Sequence, residues 1–141
     1  MRILLFANGS GGVGAVRGLV EQGHDLLVIA PPGGRFREWH MSVSEACESF
    51  GIECLDPIDP NSALLLEKYR HHEPDLTLSV LYHKILSNEV LNISPLSINF
   101  HPSLLPAYRG TAPLIWVIVE GETETGVTAH QMTDRVDQGE I

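Results

Sequence analysis

Short apolar runs alternate with segments of helical periodicity along the chain, and this alternation constrains the fold more than any other feature. Residues 2–7 and 26–30 are almost continuous apolar runs, which are typical of strands buried in a parallel sheet. Between them, Val13, Val16 and Leu19 recur at the spacing of one helix face. Strands that alternate with helices predict βαβ units around a mostly parallel sheet.

We therefore expect an α/β fold, with a Rossmann-like, mostly parallel sheet that carries helices on both faces. The expected strands cover residues 2–7, 26–30, 52–55, 76–81, 97–101 and 125–132. We expect the glycine-rich segment 9–14 to form a turn that leads into a helix ending at Gly23, and residues 31–40 to form a loop. Further helices are expected over 42–51, from Asn61 or Ser62 to Pro74, from about Ser87, and over 113–120.

Charge and composition exclude several classes of protein. The chain has 141 residues and a net charge of −9, which fits a single domain and disfavours a nucleic-acid partner. Its longest apolar run, 114–119, is far too short to span a bilayer. The first residues lack the features of a signal peptide, so we expect a cytoplasmic protein. Cys47 and Cys54 match neither a redox motif nor zinc-ligand spacing, so both are expected to be reduced core residues.

The segment Gly9-Ser10-Gly11-Gly12-Val13-Gly14 fits the spacing of a glycine-rich anion-binding turn between a strand and a helix. A dinucleotide site would also need an acidic residue at the end of the second strand, where this chain has Ala30-Pro31-Pro32. Nicotinamide binding is therefore disfavoured. Two interpretations stay open: a plain tight turn, and a substrate-phosphate site at Gly9, Ser10 and Gly11.

The strand at 97–101 carries polar side chains on one face. Alternation places Ser97, Asn99 and His101 together, at the strand end where open α/β sheets bind their ligands. An amide beside an imidazole can donate hydrogen bonds to an oxygen that becomes negative during acyl transfer. The alternative is that both groups only cap the following loop. Asp134 and Asp137 could likewise be solvated turn residues, unless their turn faces His101.

Metal and nucleophile motifs give no comparable indication. His71 and His72 lie in a polar helix end, and the sequence has neither H-E-x-x-H nor a Cys/His ligand pair, so no metal is predicted. No G-x-S-x-G motif is present, which disfavours a covalent intermediate.

The last third of the chain resembles the folate-dependent formyltransferases. The resemblance rests on Asn99-Phe100-His101-Pro102-Ser103-Leu104-Leu105-Pro106-Ala107-Tyr108-Arg109-Gly110, on Gly121-Glu122-Thr123-Glu124-Thr125-Gly126-Val127-Thr128 and on Asp137-Gln138-Gly139. It implies that Asn99, His101 and Asp137 are the catalytic residues. It also implies folate contacts from Lys84, Ile85, Leu86, Thr133, Asp134 and Val136, acceptor contacts from Tyr108 and Arg109, and support from Thr128.

The same resemblance implies transfer of a formyl group from 10-formyltetrahydrofolate to a primary amine, with no metal. Residues 105–116 are most similar to the nucleotide-amino-sugar N-formyltransferases, and purine-pathway enzymes usually lack Arg-Gly followed by Ala-Pro and Trp. A methionyl-tRNA formyltransferase is disfavoured by the negative charge, while a domain that formylates an aminoacyl carrier stays open. We therefore expect a small-molecule acceptor, a nucleotide sugar above all, and a homodimer is an open option.

Relatives in this family continue beyond the position of Ile141. Residues 1–141 are therefore expected to form the formyltransferase N-terminal catalytic domain, with its C-terminal part missing. The alternative is a truncated, catalytically silent module that binds folate or a nucleotide.

Overall fold

A computed structural model describes residues 1–32 and 41–141, and the part of the expected loop at 33–40 lies outside these ranges. In the described residues, a six-stranded sheet has the order β3-β2-β1-β4-β5-β6. The strands are β1 (Arg2–Ala7), β2 (Asp25–Ile29), β3 (Cys54–Leu55), β4 (Leu76–Val80), β5 (Ser97–His101) and β6 (Thr128–Gln131). The helices are α1 (Gly9–Glu21), α2 (Val43–Phe50), α3 (Ala63–His72), α4 (Asn88–Leu91) and α5 (Pro113–Val119). Strands β1 to β5 pair in parallel, and β6 pairs antiparallel with β5.

The core lies on both faces of the central strand β1. Ile3 and Leu5 face one apolar cluster, which contains Val16 of α1 and Ala46 of α2. Leu4 and Phe6 face the other cluster, with Tyr69 of α3 and Val90 of α4. Because successive side chains of a strand point to opposite faces, a strand buried on both sides must be apolar throughout. The predicted α/β sheet with helices on both faces is confirmed.

Helix α2 begins and ends at residues that the sequence marks clearly. Ser42 accepts a hydrogen bond from the Glu45 backbone N–H (3.1 Å), and the Glu45 carboxylate accepts one from the Ser42 N–H (2.7 Å). This reciprocal pair is a capping box. Gly51 ends the helix in the left-handed conformation, with φ +66°.

The spacing predicted that residues 9–14 form a turn before the helix. In the structure these residues form the first turns of α1 itself. Asn8 caps the helix by accepting a hydrogen bond from the Gly9 N–H (2.9 Å). A Cβ at Gly12 would lie 3.0 Å from side-chain atoms of both Ala7 and Val43. The absence of a side chain at Gly12 therefore lets α1 pack closely on β1 and α2.

Strand β6 is shorter than the predicted strand at 125–132. It pairs from Thr128, opposite His101, to Gln131, opposite Ile98. Because β5 ends at His101, residues 125–127 have no partner on it, whereas past Gln131 one further hydrogen bond joins the Met132 N–H to the Ser97 carbonyl (2.8 Å). Over the two described ranges, no helix combines the length and apolarity needed to cross a membrane.

Candidate active site

The carboxyl end of β5 carries the polar face that the alternation predicts. Ile98 and Phe100 pack against the apolar cluster under α1 and α2. Asn99 and His101 point to the other face, where the antiparallel register places them opposite His130 and Thr128 of β6. Four polar side chains from two neighbouring strands therefore share one patch at the sheet edge where ligands bind in such folds.

Asp137 reaches this patch from the turn after β6. Its Oδ2 lies 3.4 Å from His101 Nδ1, and its Oδ1 lies 3.3 Å from His130 Nε2 and 3.5 Å from Asn99 Nδ2. The carboxylate is 7% exposed and the His101 ring 5% exposed. The structure thus brings together the three groups that the sequence separates by up to 38 positions.

The turn that presents Asp137 is held at several points. Asp137 has φ +52°, and its Oδ2 accepts a hydrogen bond from the Gly110 N–H (2.9 Å). Arg109 Nε donates to the Asp137 backbone carbonyl (2.8 Å). A Cβ at Gly139 would lie only 1.8 Å from the Gln131 carbonyl oxygen, so only glycine allows the chain to lie this close to β6. The segment Asp137-Gln138-Gly139 therefore contains both the carboxylate of the site and the glycine that its turn requires.

His101 also contacts the loop that follows its own strand. Its Nε2 lies 2.9 Å from the Tyr108 carbonyl oxygen, and because a carbonyl can only accept, Nε2 carries hydrogen. The Nδ1 atom can then donate to Asp137 only when the ring is an imidazolium. His101 thus faces Asp137 and also holds the 102–108 loop, as the loop-capping interpretation predicts.

His130 is a buried site residue that the sequence reasoning missed. Its Nδ1 donates to the Gln131 carbonyl (3.0 Å), so in the neutral ring Nε2 is an acceptor and faces Asn99 Nδ2 at 3.1 Å. This contact orients the Asn99 amide. The alternation along β6 could have revealed it, since Thr128 was recognised and His130 stands two residues later on the same face. Thr128 itself bridges the 102–108 loop, donating to the Ser103 carbonyl (2.7 Å) and accepting from the Leu105 N–H (3.0 Å).

Two cavities meet at Asn99 and Asp137. The first lies between the segments 82–86 and 132–137, and its walls include all six predicted folate-contacting residues: Lys84, Ile85, Leu86, Thr133, Asp134 and Val136. The second lies between 81–85, the end of β5 and the start of α5, and His101 lines it. A group placed at the junction can therefore be approached from both sides.

The segment 84–87 is fixed from behind, by contacts that the sequence did not predict. The Asn61 side chain donates to the Ile85 carbonyl (3.0 Å) and accepts from the Ser87 N–H (2.8 Å). Lys84 Nζ donates to the backbone carbonyls of Pro57 (3.2 Å) and Ile58. The Lys84 ammonium is thus hydrogen-bonded to the loop at 57–58, behind the cavity wall.

The other predicted substrate contacts lie outside both cavities. Gly9, Ser10 and Gly11 are exposed at the start of α1. Tyr108 donates its hydroxyl to Glu122 Oε1 (2.7 Å), and this hydrogen bond to a carboxylate raises the pKa of Tyr108 to about 12. Arg109 donates to the Asp137 backbone carbonyl and so holds the turn of the site. Within residues 1–32 and 41–141, no group of three or more His, Cys, Asp or Glu side chains could hold a metal ion.

Comparison with known proteins agrees with this architecture. Glycinamide ribonucleotide transformylase 1 from Symbiobacterium toebii is 26% identical, with a TM-score of 0.76 over 99% of this chain and 69% of that chain. Phosphoribosylglycinamide formyltransferase from Bacillus halodurans is 25% identical, with a TM-score of 0.80 over 100% and 76%. A 4-N formyltransferase from Francisella tularensis shares the fold at 20% identity, with a TM-score of 0.65 over 96% of this chain and 52% of that chain.

The sequence model of the formyl transferase family matches residues 23–141. This stretch contains β2 to β6 and every group at the junction of the two cavities. The chain therefore belongs to the formyl transferase family.

Proposed function

We propose that this chain transfers a formyl group from 10-formyltetrahydrofolate to a primary amine, with Asn99, His101 and Asp137 as its catalytic residues. The observation that carries the proposal is the junction of the two cavities at Asn99 and Asp137. Such a junction allows two substrates to bind on opposite sides of one reacting carbon. Holding both reactants in place converts a bimolecular step into an effectively unimolecular one.

The first cavity suits a flat heterocycle such as the pterin of the folate. Apolar side chains, Ile85, Leu86 and Val136 among them, line its walls, and the backbone segments beside them offer polar groups for the ring edge. Asn61 holds the 84–87 segment in place before a ligand arrives. Because the Ser87 N–H already donates to Asn61, the other N–H groups and the carbonyls of this segment are the ones available to the cosubstrate.

In the proposed reaction the acceptor nitrogen bonds to the formyl carbon, and negative charge develops on the formyl oxygen. Asn99 Nδ2 has two hydrogens: one faces His130 at 3.1 Å, and the other faces Asp137 at 3.5 Å. The second contact is at the limit of a hydrogen bond, so this N–H is the one left to donate to the oxyanion. Loss of one such donor typically costs about 2.7–4 kcal/mol of transition-state stabilisation.

His101 and Asp137 supply the charge and the proton acceptor. His101 lines the second cavity, and when its ring is an imidazolium it adds positive potential beside the developing oxyanion. Asp137 stabilises that imidazolium at 3.4 Å and receives the amine proton through a water. The tetrahedral adduct then collapses, the bond from carbon to the folate nitrogen breaks, and that nitrogen takes up the proton that Asp137 returns through the water.

For the acceptor we propose an amino sugar linked to a nucleotide. The support is the run at 105–116, whose last residues begin α5 and line the second cavity, and whose pattern is most similar to the sugar enzymes. Glycinamide ribonucleotide is the second candidate, because two solved structures that cover this chain at TM-scores of 0.76 and 0.80 act in that chemistry by name. Both acceptors present a primary amine on a phosphorylated sugar scaffold.

A parallel assay tests the function and separates the acceptors. The full chain is incubated with 10-formyltetrahydrofolate and either a nucleotide-linked amino sugar or glycinamide ribonucleotide, and formylated product is measured by mass spectrometry. We expect product with the sugar, formed about 10²–10³-fold more slowly by Asn99→Ala. Product only with glycinamide ribonucleotide would overturn the sugar assignment. Folate binding without product from any amine would instead indicate a catalytically silent binding module.

A further inference from the structure

Arg135 lies in the wall of the first cavity, between Asp134 and Val136, and takes no part in the proposed reaction. The Thr133 hydroxyl accepts a hydrogen bond from the Arg135 N–H (3.2 Å) and donates one to the Arg135 carbonyl (3.1 Å), so the backbone is held at this position. The side chain is exposed, and across residues 1–32 and 41–141 its guanidinium has neither a hydrogen bond nor an ion pair. The cavity wall thus presents an unpaired group that is always positive.

The other side chains of this cavity that can carry a positive charge are already engaged. Among the described residues in its walls, these are Lys84 and His130. The Lys84 ammonium is hydrogen-bonded to the loop at 57–58, and His130 is buried beside Asp137. Arg135 is therefore the cation left for a ligand. In a chain of net charge −9, it provides local attraction for an anion that the chain as a whole repels.

Apolar side chains lie between Arg135 and the reacting centre. Asp137 is buried at the junction of the two cavities, whereas Val136 is 52% exposed and Ile85, from the opposite segment, is 68% exposed. Both apolar side chains line both cavities. The segment 135–137 therefore carries an exposed cation, then an apolar side chain, then the buried carboxylate. A ligand that matches this order has its reacting group first, an apolar ring next and an anion at its far end.

We propose that Arg135 binds a carboxylate in the glutamate tail of 10-formyltetrahydrofolate. This inference rests on the proposed function, from which it takes the cosubstrate. In that molecule the nitrogen that bears the formyl group is attached to a benzoyl ring, and the ring carries a glutamate with two carboxylates. A guanidinium can pair with a carboxylate through two parallel N–H···O hydrogen bonds. Arg135 thus selects for folates that carry a charged tail.

Calorimetric titration of the full chain with two ligands tests this contact. The ligands are tetrahydrofolate and its diamide, in which both glutamate carboxylates are carboxamides of the same shape. We expect the wild type to bind the diamide about 5–10-fold more weakly at low salt, and the difference to shrink at high salt. Arg135→Ala should bind both ligands about equally, with the affinity that the wild type has for the diamide. A structural role for Arg135 would instead weaken the binding of both ligands.

Two further variants make the test specific to the guanidinium. Arg135→Lys keeps the charge but loses the planar pair of donors, so its preference for tetrahydrofolate should be intermediate. Arg17→Ala is the matched control, because it removes the same charge from an exposed position on α1 outside both cavities. Its preference should equal that of the wild type.

Steady-state kinetics separates failure of this inference from failure of the proposed function. Arg135→Ala should raise the KM for 10-formyltetrahydrofolate about 5–10-fold and leave kcat within about two-fold, because the contact is the same in the ground and transition states. Equal wild-type affinity for the two ligands, with formyl transfer intact, would overturn this inference alone. A raised KM for the amine instead of the folate would show that Arg135 binds the acceptor. If the wild type bound no folate, the proposed function and this inference would both fail.

Discussion

Replacing the Asp137 carboxylate with an amide tests the core of the proposed site, because Asp137→Asn removes one charge and keeps the shape. The carboxylate lies 3.4 Å from His101 Nδ1, and both side chains are less than a tenth exposed. Coulomb's law gives about 5 kcal/mol for this carboxylate and a protonated His101 ring at an effective dielectric constant of about 20. Relaxation and water take up part of this energy, so we expect a loss of about 3–4 kcal/mol in transition-state stabilisation, or about 10²–10³-fold in kcat.

Steady-state kinetics with both substrates measures the effect. Asp137→Asn should lower kcat and leave the folate KM within about two-fold, because the carboxylate acts mainly on His101 and on the proton of the amine. Glu140→Gln removes an exposed carboxylate three residues later and serves as the matched control, with expected kinetics like the wild type. Thermal unfolding of each variant shows whether the turn has kept its structure.

Two results would refute this reasoning. Equal losses in kcat and in folate affinity would give Asp137 a binding role instead of a catalytic one. A folded variant with unchanged kcat would mean that the 3.4 Å contact with His101 does not contribute to the reaction.

Substitutions at His130, Asn61, His101 and Gly139 test separate contacts. His130→Phe should lower kcat by about 10-fold or more, because the Asn99 amide loses the acceptor that orients it. His130→Gln keeps an acceptor and should recover part of the rate in steady-state kinetics. Asn61→Ala should raise the folate KM with little change in kcat, which titration of folate binding checks directly. His101→Ala should abolish most turnover and also destabilise the fold by about 1–3 kcal/mol in urea unfolding, because the Tyr108 carbonyl loses its donor. Gly139→Ala should destabilise by about 3 kcal/mol or more, whereas the control Gly18→Ala in α1, where a Cβ meets nothing within 4 Å, should stabilise by about 0.5–1 kcal/mol.

Local patterns were enough to predict the layers of the fold. Some features depend only on neighbours a few residues away in the sequence. They include the apolar runs that form β1, β2 and β4, and the capping box of α2. Their periodicity therefore shows which face is buried. The polar face of β5 followed from the same alternation. Strand lengths were harder to predict: β6 begins only at Thr128, opposite the last residue of β5, and such pairing is set by a distant segment.

The site depended on distances that no local pattern contains. The sequence by itself determined the sheet, its helices and the side of β5 on which Asn99 and His101 stand. Only the tertiary structure decided that Asp137, His130 and Asn99 meet within 3.5 Å and that Arg109 holds the turn of Asp137. The physical reason is that periodicity fixes the orientation of a side chain along its own element. Contacts between elements depend on register, on the turns that return the chain, and on glycines such as Gly139 that permit close approach.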